Sequence, residues 1–285
     1  MDLDEFAAAV GDDGQVAICG LATRGGAATG VRCVQAPAAI EWVQPDEMVV
    51  SCGAGTPVDE LVAVLARHGQ TVALPAGGTV GGALACGVSD IRRLGHGPVR
   101  DVLLQARYVS AAGEVVKAGG PTVKNVSGFD LPRLLVGSRG ALGFLGDVIL
   151  RTRPLPPASQ WFTKPAGNPF DVFATLYRPV SVLWNGERVW VLLEGHAADV
   201  VAQQRTAGLQ EAEGPPKLPA GSRRSVRPAE VAHQVGEFVA EVGIGIVHHS
   251  EPWSPPPRAE REQALARAIK HALDPTARLN PGVDV

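Results

Sequence analysis

Two glycine-rich turns, Gly77-Gly78-Thr79-Val80-Gly81-Gly82 and Gly137-Ser138-Arg139-Gly140-Ala141-Leu142-Gly143, lie between Pro75 and Pro154 and are joined by apolar, strand-like runs. Glycine has no Cβ, so each turn lets the backbone take conformations closed to other residues and lets a ligand come close to the amides. The second turn runs directly into the apolar segment Phe144 to Thr152. Paired glycine loops on strands of this kind point to a pyrophosphate-bearing cofactor held by backbone N–H groups, which needs no cationic side chain.

A chain of 285 residues, 45% hydrophobic and 19% charged, is long enough for two domains and rich enough in apolar residues for a buried core. Its formal net charge of −3 argues against a nucleic-acid partner. No apolar run approaches the roughly 20 residues that span a bilayer, so no transmembrane segment is expected. The acidic start Met1-Asp2-Leu3-Asp4-Glu5 is unlike a signal peptide, and a cytoplasmic location is expected. Cys19, Cys33, Cys52 and Cys86 lack the clustered spacing of iron–sulfur or structural zinc ligands and read as buried, reduced thiols.

Along the chain, Gln15 to Cys19 reads as a strand followed by the turn Gly20 to Gly26. Met48 to Cys52 is a second strand. Thr56 as N-cap and Pro57 at the first helical position predict a helix that Gly69 stops. Thr71 to Leu74 reads as a strand, Gly81 to Ala85 as a short helix, and Val102 to Ser110 with Glu114 to Ala118 as a hairpin. Asp130 is a helix N-cap, and Phe144 to Thr152 is a strand. After the prolines at 154–157, Ser181 to Trp184 and Arg188 to Leu193 flank the hairpin signal Asn185-Gly186. Helices are expected over 197–212, 228–241 and 258–273, with a strand over 242–247. Strands and helices mix without a regular βαβ repeat, which favours α+β.

The runs Thr79 to Ala85, Lys124 to Leu131 and Gly137 to Gly143 occur in one order, and the tail ends Leu279-Asn280-Pro281-Gly282. Together they resemble the vanillyl-alcohol oxidase, or PCMH-type, family of FAD-binding proteins, and within it the short flavoprotein subunits of bacterial glycolate oxidases. The resemblance implies an α+β fold: a PCMH-type FAD-binding domain of two α+β subdomains at 1–154, a small α+β cap or substrate domain at 155–270, and a tail at 271–285 returning to the FAD domain. It also implies cofactor contacts from Cys19, Gly20, Leu21, Ala22, Thr23, Gly78, Thr79, Gly81, Gly82, Ser89, Ser138, Gly140, Gly143, Ile149 and Asn280. Leu21 and Ala22 stand where relatives carry glycine, and their side chains are expected to crowd the pyrophosphate. No histidine lies in the first loop, and His96 reads as a turn residue, so non-covalent FAD is expected.

The activity implied is FAD-dependent oxidation of a 2-hydroxy acid such as glycolate or D-lactate. That chemistry needs a base for the hydroxyl proton and a cation for the carboxylate. His248, His249 and Arg227 are the candidates, with Glu251, Arg223 and Arg224 nearby, although adjacent strand residues point to opposite faces. His248-His249-Ser250-Glu251 does not reproduce the relatives' metal motif, so no metal is expected. The alternative is a non-catalytic or electron-passing flavoprotein subunit working beside a second flavoprotein and an iron–sulfur subunit, which would hold it peripherally at the inner face of the membrane.

Overall fold

Short runs rich in apolar and β-branched residues form the strands of this chain, interspersed with helices, and among the described residues all but one of the strand pairings are antiparallel. The structure, a computed structural model, describes residues 1–25, 30–121 and 130–283. Gly26 and most of the Lys124 to Leu131 motif lie outside the described residues. The chain divides into two compact units: Met1–Ser89, Pro98–Leu155 and Arg258–Val285 in the first, Asp90–Gly97 and Pro156–Pro257 in the second. The return to the first unit thus begins at Arg258, ahead of residue 271, and a short excursion at 90–97 belongs to the second.

The first unit is built on a five-stranded sheet in the order Ile40–Gln44, Val49–Gly53, Phe144–Arg151, Leu103–Val109, Val115–Gly119. Phe144–Arg151 is the central strand, buried at every position but its last. Val58–Ala66 buries Val58, Leu61 and Leu65 against this core. Thr56 does not cap that helix; its hydroxyl is turned to the Ala39 carbonyl at 3.4 Å, and Pro57 takes the cap position without a side-chain bond. Thr79 does cap Val80–Cys86, accepting from the Gly82 amide at 3.0 Å, and Asp130 caps Leu131–Leu135 through the Arg133 amide. The segment read as a strand over 71–74 is strand only at Gln70–Thr71, pairing with Arg153–Pro154.

Helix Glu260–Leu273 leads to a tail anchored by Arg278, which is 3% exposed. Its guanidinium donates to the carbonyls of Val10, Gly11, Asp13, Gly14 and Ala111. Val10 and Gly11 close the helix Leu3–Val10, whose last carbonyls have no intrahelical partner, so a cation is favoured there. Asp274 accepts from the Arg278 and Leu279 amides at 3.0 and 2.9 Å and from Lys270 Nζ at 2.6 Å.

The second unit holds a seven-stranded antiparallel sheet, ordered Gln210–Ala212, Ala158–Pro165, Arg188–Gly195, Ser181–Trp184, Phe238–Glu241, Ile246–His249, Ser222–Ser225. Asn185-Gly186 makes the expected hairpin, with Asn185 Oδ1 accepting from the Glu187 and Arg188 amides. Two readings fail here. Residues 228–241 are not one helix: a single 3₁₀ segment, Pro228–His233, gives way at Gly236 (φ +82°) to the buried strand Phe238–Glu241. Residues 242–247 do not form one strand either, because Gly243 and Gly245 take positive φ and turn the chain into Ile246–His249. The helix expected to reach 212 stops at Ala207, where Gly208 takes the left-handed C-cap, and Gln210–Ala212 is an edge strand.

Candidate functional site: a glycine-walled cofactor cavity

The first unit contains a cavity of about 590 Å3, within the roughly 300–1,000 Å3 usual for small-molecule sites. Three backbone turns wall it. The first follows strand Val16–Ile18, the second surrounds Thr79 at the start of helix Val80–Cys86, and the third is Ser138 to Gly143, with Asn280 of the tail completing the wall. Of the residues expected to hold a cofactor, all but Gly78 and Ile149 line the cavity. Gly78 (φ +67°) packs beneath the first turn, where a Cβ would strike Arg24 and Thr23. Ile149 is buried within the central strand, paired with Ser51 and Gln105.

The turns are stitched together by two side chains. Arg24 Nη2 donates to the carbonyls of Pro75 and Ala76 at 3.0 and 2.9 Å, tying the first turn to the second. Asn280 Oδ1 accepts from the Ile18 amide at 2.9 Å while Nδ2 donates to the Arg139 carbonyl at 2.6 Å, tying the first strand to the third turn. A Cβ on Gly140 (φ +75°) would lie 2.6 Å from Asn280 Nδ2, so only glycine admits that bridge.

The amides are divided unequally. Gly81 N–H is bonded to the Ala54 carbonyl at 2.7 Å and Gly82 N–H to Thr79 Oγ1, so these glycines serve close packing within the protein. The amides of Gly20, Leu21 and Ala22 make no hydrogen bond among the described residues. Leu21 is 59% exposed and Ala22 holds φ +54°, so the cavity stays open with both side chains in place. A pyrophosphate carrier therefore fits: unspent amides, no buried acidic side chain among the lining residues, and room for the group.

Cys19 and Cys33 correct the reading of four reduced thiols. They join as a disulfide with Cα atoms 5.9 Å apart, closing the chain around the first turn. Cys52 is free and buried; its burial, and after that the carboxylates of Asp147 and Glu41, push its thiol up to about 12. Cys86 lines the cavity. His96 lies 2.9 Å from Glu194 Oε2 through Nε2, both side chains being nearly buried in the second unit. Burial works to raise the Glu194 carboxyl, but the hydrogen bond and charge of His96, aided by Ser159 and Arg92, hold it below the usual range.

The catalytic candidates all belong to the second unit. His248 and His249 lie on opposite faces of its sheet. His249 is 3% exposed, with Nε2 donating to the Val235 carbonyl at 2.9 Å and Nδ1 accepting from the Glu251 amide at 3.0 Å, so both ring nitrogens are spent. Arg227 is exposed and doubly bonded to Glu230, its Nε at 2.9 Å from Oε1. His248 instead meets Glu241 Oε1 at 2.9 Å through Nε2. Arg24 and Glu241 were not singled out from sequence, because nothing local marks either residue. Among the described residues, no group of three or more His, Cys, Asp or Glu gathers as a metal set, and no helix is long and apolar enough to cross a membrane.

Residues 18–119, which supply the first two turns of the cavity, match the sequence profile of the FAD binding domain. This stretch is an FAD binding domain. The glycolate oxidase subunit GlcE of Escherichia coli is 34% identical over 181 residues, which is 60% of this chain and 52% of that protein. The D-lactate dehydrogenase of Archaeoglobus fulgidus is 36% identical over 115 residues, covering 39% of this chain and 26% of that one. The glycolate oxidase subunit GlcD of Bacillus subtilis is 35% identical over 82 residues, 29% of this chain and 17% of its own. The chain thus spans about half the length of GlcE and less of the others. Among solved structures, an alkyldihydroxyacetonephosphate synthase superposes with a TM-score of 0.69 at 14% identity, over 98% of this chain and 74% of that one. The fold around the FAD binding domain is the PCMH-type α+β fold.

Proposed function

We propose that this protein uses non-covalently held FAD to oxidise a 2-hydroxy acid of the glycolate or D-lactate kind. The observation that carries the reading is the cavity itself: three turns bridged by Arg24 and Asn280, with open amides at Gly20, Leu21 and Ala22, in a chain whose residues 18–119 are an FAD binding domain. Those amides would hold the pyrophosphate. When bound, FAD supplies a two-electron acceptor for hydride. We assign cofactor binding to the first unit, which takes in nearly all of 1–154 and the returning segment from Arg258, and substrate handling to the second unit, which holds most of 155–270. His248 is the candidate base, since it alone of the expected trio keeps a ring nitrogen uncommitted.

The printed names of GlcE and GlcD as oxidase subunits favour a second reading, in which the chain passes electrons within an assembly. Its partners would be a second flavoprotein and an iron–sulfur subunit, in the cytoplasm or at the inner face of the membrane. Anaerobic addition of glycolate or D-lactate to the FAD-loaded chain distinguishes the two. Bleaching of the flavin by the isolated chain supports the oxidoreductase; bleaching only after the partners are added supports the subunit. A flavin that stays oxidised in both settings rules out oxidation of these acids.

A further inference from the structure

The first cavity turn, from Gly20 to Arg24, does little to hold its own shape. The amides of Gly20, Leu21 and Ala22 make no hydrogen bond among the described residues. Ala22 sits at φ +54°, a left-handed conformation that alanine rarely adopts. The turn therefore depends on what pins its two ends. At the far end Arg24 Nη2 reaches the Pro75 and Ala76 carbonyls, and Cys86 Sγ lies 3.9 Å from the Arg24 carbonyl.

At the near end the tail pins strand Val16–Ile18, with Asn280 accepting from the Ile18 amide. Its reach stops there. Cys19, the next residue, has one backbone bond, from its amide to the Val34 carbonyl at 2.8 Å, and its disulfide to Cys33 across a sequence separation of 14. The returning strand Arg32–Val34 pairs with Val16–Ile18 over only three residues, and isolated two-stranded pairings are marginal in water. The disulfide is thus the covalent closure of the turn at the point where the tail lets go. It is also accessible: Cys33 is exposed and Cys19 half-buried, the setting of a labile bridge rather than a structural one.

We propose that Cys19 and Cys33 form a reversible thiol–disulfide site that sets how tightly the cavity holds FAD, an inference that rests on the cofactor reading above. The reductant is a small dithiol. Its thiolate attacks the exposed Cys33 sulfur; the Cys19–Cys33 bond breaks as a mixed disulfide forms, and Cys19 leaves with the electron pair and takes up a proton. The second thiol of the reductant then displaces Cys33. Two electrons and two protons pass to the protein, and the reductant ends as a cyclic disulfide. With the bridge open, Ala22 is released from its left-handed conformation and the amides of Gly20 and Leu21 are no longer fixed for a pyrophosphate. Linkage makes the effect reciprocal: FAD bound to the closed turn hinders reduction by the same factor.

Fluorescence titration of the full chain with FAD tests this in two states: oxidised with diamide, and reduced with dithiothreitol then desalted anaerobically. Alkylation under denaturing conditions and intact mass count the thiols. Two free thiols are expected in the oxidised chain and four in the reduced one. The reduced chain should bind FAD roughly 10- to 100-fold more weakly, with recovery on reoxidation. Cys33→Ser should bind like the reduced wild type and ignore the dithiol, while Cys86→Ser should respond as the wild type does. Four thiols remaining after diamide, or equal FAD affinity in the two wild-type states, would overturn this inference and leave the cofactor reading standing. No FAD uptake in either state would overturn the cofactor reading instead.

Discussion

The side-chain carbonyl of Asn280 accepts the backbone N–H of Ile18 at 2.9 Å, across 262 residues of sequence. The same side chain donates to Arg139, so the last turn of the chain locks the first strand to the third cavity turn. Asn280 sits at φ +42°, a left-handed conformation that asparagine tolerates better than most residues. Asn280→Ala should therefore lose two hydrogen bonds and add backbone strain, for about 1–3 kcal/mol of stability. Asn280→Gly loses only the bonds. Thermal melts with and without FAD should show both variants destabilised, alanine more than glycine, with a smaller stabilisation by FAD than in the wild type.

Arg24 makes the corresponding bridge between the first and second turns. Arg24→Ala should leave the first turn untethered and weaken FAD binding roughly 10- to 100-fold, the scale of losing charged hydrogen bonds. Arg24→Lys should restore it only in part: both bonds come from the single Nη2, which an ammonium's donors can replace, but from a shorter stem without the planar guanidinium. Titration of apoprotein with FAD, followed by flavin fluorescence, measures the change. Equal affinity in all three proteins would show that the bridge does not matter.

Arg278 is buried with five backbone carbonyls as its partners. Replacing it with Met strands those acceptors, several of them buried, and should cost about 3–5 kcal/mol, on the scale of breaking a buried charged network. The urea midpoint should fall with little change in slope.

Asp274 links the same tail to pH. Burial alone would raise its carboxyl, but hydrogen bonds from Lys270 and from the Leu279 and Arg278 amides outweigh that and hold it below the usual carboxylate range. A depressed native value means the contribution is fully present above the unfolded value, near 4, and is lost as pH falls through the folded one. The stability gap between wild type and Asp274→Asn should be constant from about pH 5 to 7 and shrink below about pH 4. Acid unfolding curves of the two proteins measure it; a gap that widens in acid would contradict the assignment.

Much of the first unit was legible because its signals are local. Thr79 caps the helix three residues ahead of the Gly82 amide it accepts from, and Asp130 caps the next helix through the Arg133 amide, again three residues on. The second unit was harder. Phe238–Glu241 is four residues long and buried on both faces, so it shows no alternation, and the preceding Pro228–Glu230 looks like a helix start. Its strand identity comes from pairing with residues 183–184 and 246–249, which no local window contains. The same holds for chemistry. Glu241 meets His248 only because a turn at Gly243 and Gly245 folds one strand back on the other, and Arg24 meets Pro75 only in the folded unit.

The central claim is that the cavity between the three turns holds FAD. The most direct measurement is the flavin content of the purified full-length chain, after incubation with FAD and removal of the excess, read before and after acid precipitation. The account predicts one FAD per chain, all of it released into the acid supernatant. A chain that stays colourless after incubation, or one whose flavin remains with the precipitate, would contradict it.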